Sequence, residues 1–269
     1  MDTVASISPR SLQTRIGSAR SPLVLDVRDP ADFSLEARMI PAALQPEADI
    51  VAIAAGHAAG RPIALYCREA GDVSREAARV LSRAGYDAAY VEGGLAAWLR
   101  EGCPTLRRKP EWGVPGSSRW ITRARPKVDR VACPWLIRRF ADPLARFDYV
   151  PADRVLEEAQ ARGAVAFDLP GAPVGHRGER CSFDALIEAF ELHDRPLDRL
   201  ARIVRGADTG RPDLAPQCEG LLAASLGLSE RFADDHEMLE AAMPLYDGLY
   251  AWCRREEERI GGDTAAPGR

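Results

Sequence analysis

The stretch "PIALYCREAGDVSREAARVLSRAG" (residues 62–85) places Cys67 where an apolar run ends and a helical pattern begins. The run 62–67 is rich in Ile, Leu and Tyr, which is typical of a buried strand. In residues 74–84, apolar side chains recur on one helical face, and Gly85 follows where a helix end favours a left-handed residue. This stretch therefore predicts a strand, a loop that carries the cysteine, and a helix.

The surrounding sequence repeats this alternation. Residues 22–27 and 88–91 are further short apolar runs, while 47–59 and 93–102 have helical character. Strands separated by helices of this length predict a parallel sheet with helices on both faces. The first part of the chain is therefore expected to be an α/β domain.

The sequence changes character near residue 105. Residues 105–120 carry two prolines, two glycines and paired serines without periodicity, as in a linker. Beyond them one short strand, 164–169, is expected within a mainly α-helical (α+β) domain. Helices are predicted at 133–141, 152–163, 182–192, 196–205, 215–227 and 233–259. The predicted organisation is a first domain at 1–106, a linker at 107–118, a second domain at 119–260 and a disordered tail at 261–269.

Composition excludes several classes of protein. The 269 residues are 46% apolar and 28% charged, with a net charge of −4. No run approaches the roughly 20 apolar residues that cross a bilayer, and no long apolar segment opens the chain, so a cytoplasmic location is expected. The acidic balance and the lack of a helix-turn-helix signal disfavour nucleic-acid binding. The widely spaced cysteines are expected to be free thiols: Cys67, Cys103, Cys133, Cys181, Cys218 and Cys253.

Cys67 has two interpretations from the local pattern. A helix N-terminus favours a thiolate, and a loop at residues 68–73 can turn its N–H groups toward the sulfur, with Gly71 providing freedom to curl. Alternatively, Cys67 is a small buried apolar residue at a strand end. The two interpretations have about equal weight from this pattern alone.

Four segments in order resemble a rhodanese domain over residues 5–105. They are "LVLDVRDPADF" (23–33), "MIPAAL" (39–44), the Cys67 stretch and "YVEGGLAAWLREGCP" (90–104). The resemblance implies that Cys67 is a catalytic nucleophile that accepts sulfane sulfur as a persulfide. It also implies a loop whose N–H groups stabilise the charged sulfur, formed by Arg68, Glu69, Ala70, Gly71, Asp72 and Val73.

The loop departs from the usual rhodanese pattern C-x-x-G-x-R-S. Glycine and serine each fall one position late, and Asp72 stands where the family has its arginine. In this superfamily a longer loop is associated with phosphate- or arsenate-sized anions, and the acidic Glu69 and Asp72 are expected to repel anions. Asp26 and Arg28 are expected to support the site from beneath, or to form only a strand-end ion pair.

The second domain carries polar residues between helical segments. Asp129, His176 and Asp208 have side chains that suit zinc, manganese or iron, so they are candidate metal ligands. The alternatives are a loop hydrogen-bonding role for the histidine and helix capping for the aspartates. Residues 119–146 hold eight Lys/Arg and two Asp, an excess that attracts anions or forms a solvated face. The anion-binding candidates are Arg130, Arg138 and Arg139.

Several long segments of this domain resemble the C-terminal domain of the chromate-resistance protein B family over residues 119–255. They include "WITRARPKVDRVACPWLIRRFADP" (120–143), "HRGERCSFDALIEAF" (176–190), "LARIVRGADT" (200–209) and "PLYDGLYAWC" (244–253). The resemblance implies a role in chromate or related oxyanion stress. In that family the domain is joined to a DNA-binding-like region, whereas this chain has a rhodanese-like domain in that place.

Two functional hypotheses follow. The chain is either a sulfurtransferase or thiol-dependent oxyanion-handling enzyme that uses Cys67, or a non-catalytic chromate sensor with an inactive rhodanese module. The expected partners are small sulfur donors and acceptors or oxyanions such as chromate, without a membrane or nucleic acid. A homodimer remains open.

Overall fold

The computed structural model describes residues 4–46, 49–69, 71–113 and 118–264. The chain divides into two compact units. The first contains Met1–Ser118, Ile137–Ala145 and Phe190–Leu192, and the second contains the remaining segments, Arg119–Leu136, Arg146–Ala189 and His193–Arg269. The main change from one unit to the other falls between Ser118 and Arg119, and two short later segments also belong to the first unit.

The first unit is built on a parallel sheet, as its sequence predicts. Its strands are β1 (Ala5–Ile7), β2 (Leu23–Asp26), β3 (Arg38–Met39), β4 (Ala43–Leu44), β5 (Ile63–Tyr66), β6 (Ala88–Val91) and β7 (Leu106–Arg107). Its helices are α1 (Pro9–Gln13), α2 (Pro30–Leu35), α3 (Ile50–His57), α4 (Asp72–Arg83) and α5 (Gly94–Arg100). The five-stranded sheet has the order β1-β6-β5-β2-β4, and β3 pairs with β7 in a separate antiparallel ribbon.

Burial explains why the sheet strands read as continuous apolar runs. Every residue of β2 and β5 is buried, so both faces of the sheet are covered. On one face, Leu25 and Leu65 share a core with Ala54 of α3 and Leu81 of α4. This packing fixes the carboxyl end of β5, where Cys67 lies.

The second unit combines a small parallel sheet with a helical majority, which confirms the expected fold class. The sheet has the order β10-β8-β9, with β8 (Arg119–Arg123), β9 (Arg146–Val150) and β10 (Val165–Ala166). The helices are α6 (Asp129–Leu136), α7 (Val155–Arg162), α8 (Ser182–Ala189), α9 (Arg195–Asp208), α10 (Cys218–Arg231) and α11 (Asp235–Thr264).

Trp135 of α6 is the centre of the aromatic packing in this unit. Its ring stacks on Phe183 of α8 at 6.4 Å between centroids, and it meets Tyr250 of α11 at 5.6 Å. Its Nε1 donates a hydrogen bond of 2.8 Å to Asp247 Oδ1. Because this indole is fully buried, the bond satisfies its polar atom while the ring holds three helices together.

Some predicted boundaries differ from the observed ones. Helix α4 begins at Asp72, two residues before the predicted start, so Asp72 and Val73 belong to its first turn. The predicted linker contains Arg107, the second residue of β7, and a 3₁₀ turn at Pro110–Trp112, while residues 114–117 lie outside the described part. Helix α11 continues to Thr264, into the segment predicted as a tail, and residues 265–269 lie outside the described part. No helix in the described ranges is long and apolar enough to cross a membrane.

Candidate functional site

Cys67 lies directly after β5, at the edge where the strand leads toward α4. Its side chain is buried, and its Sγ lies 3.2 Å from the Oγ of Ser74, a fully buried residue in the first turn of α4. The Cys67 carbonyl accepts a hydrogen bond of 3.0 Å from the N–H of Leu95, near the start of α5. The cysteine is therefore held from both sides by backbone and side-chain contacts.

The predicted anion loop is shorter than the sequence suggests, because α4 includes Asp72 and Val73. Gly71 precedes the helix with a φ of −72°, so it does not use the left-handed freedom expected of it. The Arg68 guanidinium lies 3.4 Å from Asp32 Oδ1 and 3.8 Å from Glu69 Oε1. Arg68 is thus held by carboxylates, and Ala70 lies outside the described residues.

Asp26 and Arg28 form a fully buried ion pair in which Arg28 Nη2 lies 2.7 Å from Asp26 Oδ2. Tyr66 donates a hydrogen bond of 2.5 Å to the same carboxylate oxygen. Burial and the nearby Asp26 charge raise the pKa of Tyr66 well above its usual value, so the phenol remains a donor. Because Tyr66 directly precedes Cys67, this network anchors the strand end that carries the cysteine.

The second unit brings together the three residues proposed as metal ligands. His176 Nε2 lies 3.4 Å from Asp129 Oδ2 and 3.2 Å from Asp208 Oδ2. One ligand atom from each residue lies within 4.8 Å of the other two. A further carboxylate, Asp168, places its Oδ1 3.3 Å from the same imidazole nitrogen. Asp168 is not among the ligands that the sequence predicts.

Different elements bring these side chains to one point. Asp129 is the first residue of α6, and Asp208 is the last residue of α9. Asp168 follows β10 with a φ of 57°, a left-handed conformation. Ser182 opens α8, where its N–H donates to Asp129 Oδ2 at 3.1 Å and its hydroxyl donates to Asp168 Oδ1 at 3.0 Å. The α8 N-terminus therefore orients two of the carboxylates toward His176.

The electrostatics of the cluster favour protonated groups. Burial, followed by repulsion from Asp129 and Asp168, raises the pKa of Asp208 to about 7. A hydrogen bond with Asp129 is the largest cause that raises the pKa of His176 to about 9. Burial and the Asp129 charge also raise the pKa of Asp168. In the absence of another cation, protons therefore offset part of the carboxylate charge.

The candidate anion-binding arginines separate into two groups. Arg130 Nε lies 3.2 Å from Asp168 Oδ2, so this residue belongs to the cluster. Arg123, at the end of β8, lies 2.7 Å from the same oxygen through Nη2. Arg138 and Arg139 fall within Ile137–Ala145, which belongs to the other compact unit. Arg138 there donates a hydrogen bond to the Ala145 carbonyl.

Three cavities in the second unit share His176 as a lining residue. One of about 510 Å³ is bordered by Arg123, Asp168 and Arg177, together with the apolar segment 169–173. Another of about 320 Å³ is lined by arginine, lysine, aspartate and apolar residues, namely Arg123, Lys127, Val128, Arg130, Asp168, His176, Ala207, Asp208 and Leu222. The third, of about 390 Å³, includes Arg205 and Arg211. The imidazole is therefore accessible from spaces that carry cationic walls.

Sequence reasoning missed Arg123, Asp168 and Ser182. Arg123 is the last residue of β8, and Asp168 lies two residues after β10. The two strands are neighbours in one parallel sheet, and the carboxyl ends of parallel strands lie at the same edge. The arginine-containing strand 119–123 was not recognised because its charged ends interrupt the apolar run. Recognition of β8 beside β10 would have predicted that these two side chains meet.

Comparisons with known proteins agree with this two-part architecture. A family model for the rhodanese-like domain matches residues 8–101, and a model for the C-terminal domain of ChrB matches residues 120–253. The protein ChrB of Cupriavidus metallidurans is 38% identical over 132 residues, which are 49% of this chain and 39% of that protein.

The first part has relatives of its own. A sulfurtransferase of Allochromatium vinosum is 33% identical over 105 residues, which are 38% of this chain and 95% of that protein. The solution structure of the rhodanese-like domain from the Anabaena sp. Alr3790 protein is 30% identical, with a TM-score of 0.32, and the match covers 38% of this chain and 79% of that one. The chain therefore belongs to the rhodanese-like family through residues 8–101, and it carries a ChrB C-terminal domain over residues 120–253.

Proposed function

We propose that this protein acts in the response to chromate or a related oxyanion, and that its C-terminal domain binds a divalent metal ion through Asp129, His176 and Asp208. The observation that carries the proposal is the convergence of three ligand atoms within 4.8 Å of one another. Similarity to ChrB supports the oxyanion part. Imidazole and carboxylate ligands suit zinc, manganese and iron.

The distances around His176 fit a metal site. Its Nε2 lies 3.2 and 3.4 Å from the carboxylate oxygens of Asp208 and Asp129. Ligands about 2.0–2.1 Å from a tetrahedral zinc ion stand about 3.3–3.4 Å from one another. The imidazole therefore stands from each of the two carboxylates at the separation that a shared ion requires, and the three ligand atoms lie within 4.8 Å of one another.

The donor set also fits the electrostatics. Burial raises the pKa of Asp208 to about 7, and repulsion from Asp129 and Asp168 adds to this rise, so the charged form of Asp208 is costly without a cation. A bound divalent ion supplies Lewis acidity and positive charge, and both favour the binding of an oxygen-rich anion. Ser182 holds Asp129 and Asp168 in place through two hydrogen bonds, the usual role of groups that orient ligands.

Metal titration of the full chain tests the proposal. After treatment with a chelator, the parent protein is titrated calorimetrically with Zn²⁺ and separately with Mn²⁺. One ion per chain is expected to bind, and His176→Ala and Asp208→Asn are each expected to weaken that binding more than about tenfold. His57→Ala, in α3 of the other unit, serves as the matched histidine control and is expected to bind like the parent. Equal binding by all variants would contradict this site.

Cys67 favours a second activity, acceptance of sulfane sulfur. Its Sγ lies between the end of β5 and the first turn of α4, 3.2 Å from Ser74 Oγ, and the domain is similar to a sulfurtransferase. In this reaction the Cys67 thiolate attacks the outer sulfur of thiosulfate, the sulfur–sulfur bond breaks, and sulfite leaves with the electron pair. The pairing of Arg68 with Asp32 and Glu69 is a feature that slows the reaction of a dianionic donor, because their carboxylates offset its positive charge.

The mass of the intact protein after incubation with thiosulfate tests this activity. A gain of one sulfur atom on the parent, and none on Cys67→Ser, is the expected result. Cys103→Ser is the control for modification of another buried thiol. No gain on the parent would contradict sulfur acceptance from thiosulfate and would favour the sensor hypothesis, in which the rhodanese-like domain is not catalytic.

A further inference from the structure

Asp168 connects the metal-ligand cluster with two arginines. Its Oδ1 lies 3.3 Å from His176 Nε2, while its Oδ2 lies 2.7 Å from Arg123 Nη2 and 3.2 Å from Arg130 Nε. The residue is 5% exposed and has a left-handed φ of 57°. One carboxylate therefore faces the proposed ion with one oxygen and occupies both guanidinium groups with the other.

The two arginines border a space that suits a small anion. Together with Lys127 and His176, they line the cavity of about 320 Å³. The Nε of Arg123 is buried and has no hydrogen-bond partner among the described residues. The Arg123 side chain as a whole is 39% exposed. A guanidinium presents several donors in a fixed fork that matches an oxyanion, so the exposed N–H groups of Arg123 can meet a ligand in the cavity.

The charge of the site depends on the ion. Three carboxylates face two guanidinium groups here. With a proton on the imidazole and no ion, these groups sum to zero, so the site carries no net charge that draws an anion. A divalent ion in place of that proton changes the sum to one positive charge, and Lys127 on the cavity wall adds another. Because the site is partly buried, this gain of positive charge acts with little screening.

We propose that the C-terminal domain contains a metal-gated site for a tetrahedral dianionic oxyanion, with Asp168 as the gate. When the divalent ion binds, Asp168 turns toward it and releases Arg123 and Arg130, which then hold the oxyanion in the 320 Å³ cavity. Without the ion, the Asp168 carboxylate occupies the arginines in place of the ligand. This inference rests on the metal site of the proposed function and adds its ligand class and its regulation.

The proposal makes metal and oxyanion binding reciprocal. If the ion increases the affinity for the oxyanion by some factor, the oxyanion must increase the affinity for the ion by the same factor. Sulfate is a suitable probe, since it is a tetrahedral dianion that does not oxidise thiols. The full chain is titrated with sulfate before and after loading with Zn²⁺, and then with Zn²⁺ in the presence and absence of sulfate.

The expected result is a sulfate affinity at least about tenfold higher in the zinc-loaded protein, within the usual range of such couplings. Arg123→Gln is expected to lose this sulfate binding and to bind one Zn²⁺ per chain at least as tightly as the parent, because Asp168 then has one competing partner fewer. Asp168→Asn is expected to bind sulfate without zinc, because the arginines are then free. Arg146→Gln, an exposed arginine at the start of β9, is the control for general loss of charge and is expected to match the parent.

The outcomes separate the two proposals. Absence of zinc binding to the parent would overturn both the metal site and the gate. Zinc binding with an unchanged sulfate affinity would overturn the gate and leave the metal site standing. A folding defect cannot imitate the expected gain of sulfate binding in Asp168→Asn. If that variant still requires zinc to bind sulfate, Asp168 is not the gate.

Discussion

At the scale of single residues, the position of His176 carries most of the functional interpretation. Its Nε2 faces carboxylate oxygens of Asp129, Asp168 and Asp208 at 3.2–3.4 Å. A protonated imidazole has one hydrogen on this nitrogen, which is too few to bond all three oxygens well. We therefore propose a multivalent cation at the centre of these oxygens, which the imidazole proton replaces when the ion is absent.

The pH dependence of stability in the chelator-treated protein tests whether a proton takes the place of the ion. The folded-state pKa of His176 is raised from 6.5 to about 9, so its contribution is complete below about 6.5 and is lost as the pH rises through 9. The pKa of Asp208 is raised to about 7, so its contribution to the free energy of unfolding is also lost as the pH rises, at lower pH than that of His176. Urea unfolding is therefore expected to show a lower free energy of unfolding at pH 9 than at pH 6.5.

The expected loss attributable to His176 is on the order of 1 kcal/mol, after discounting for solvent around the exposed part of the ring. His176→Gln should show a smaller loss over the same interval, because glutamine does not titrate. His57→Gln is the control. If the parent and His176→Gln had identical slopes between pH 6.5 and 9, the imidazole would not share a proton with the carboxylates.

At the scale of elements, apolar periodicity was sufficient to predict the strands and helices whose buried residues recur at regular spacing. The runs at β2, β5 and β6 were recognisable because parallel strands covered on both faces are continuously apolar. The strand β8 was not recognisable, because its two end residues are charged. Arg119 forms an ion pair with Asp148, and Arg123 forms one with Asp168. Because β8 was not predicted, the contribution of Arg123 to the site was not predicted either.

Part of the candidate site was predictable from residue type and local context. Asp129 and Asp208 lie at helix ends, and His176 lies between glycines, so residue type and local context identified them. Asp168 could not be found without knowing that β10 lies beside β8. Anion binding by Arg130, Arg138 and Arg139 stays a prediction, and Arg138 and Arg139 lie in the other compact unit.

The C-terminal end of α9 must be held in position for Asp208 to reach the cluster. A Cβ at Gly206 would lie 2.3 Å from Cys218 Sγ and 2.7 Å from the Arg211 carbonyl oxygen. Gly206→Ala is therefore expected to reduce the free energy of unfolding by about 1–3 kcal/mol, because the buried neighbours must shift. It should also weaken metal binding by displacing Asp208. Urea unfolding and zinc titration measure the two effects.

Gly220→Ala is the matched control for this substitution. Gly220 lies in α10, and a Cβ there would meet nothing within 4 Å. The alanine should increase the free energy of unfolding by about 0.5–1 kcal/mol through its better helix propensity and leave zinc binding unchanged. Equal effects of both substitutions would show that close packing at Gly206 does not position the end of α9.

At the scale of the whole molecule, the two candidate activities use residues from different units. Cys67, Ser74 and the Asp26–Arg28 pair belong to the first unit, and the His176 cluster belongs to the second. The chain is acidic overall, with a net charge of −4, yet the cavities beside His176 carry arginine and lysine side chains. The proposed binding of an oxyanion therefore depends on these local side chains and not on the total charge.

This division predicts that the two activities separate by mutation. Cys67→Ser is expected to abolish sulfur acceptance and to bind zinc with the affinity of the parent. His176→Ala is expected to lose zinc binding and to accept sulfur from thiosulfate to the same extent as the parent. Intact mass and calorimetry on the same preparations measure both properties. Loss of both activities in either folded variant would contradict the assignment of each site to one unit.

The most direct test of the central claim is anomalous diffraction at the zinc absorption edge from crystals of the zinc-loaded full chain. The expected result is one peak within about 2.0–2.2 Å of ligand atoms from Asp129, His176 and Asp208. His176→Ala crystals, prepared identically, should lack this peak. A zinc peak at another position, or none at the cluster in the parent, would contradict the metal site.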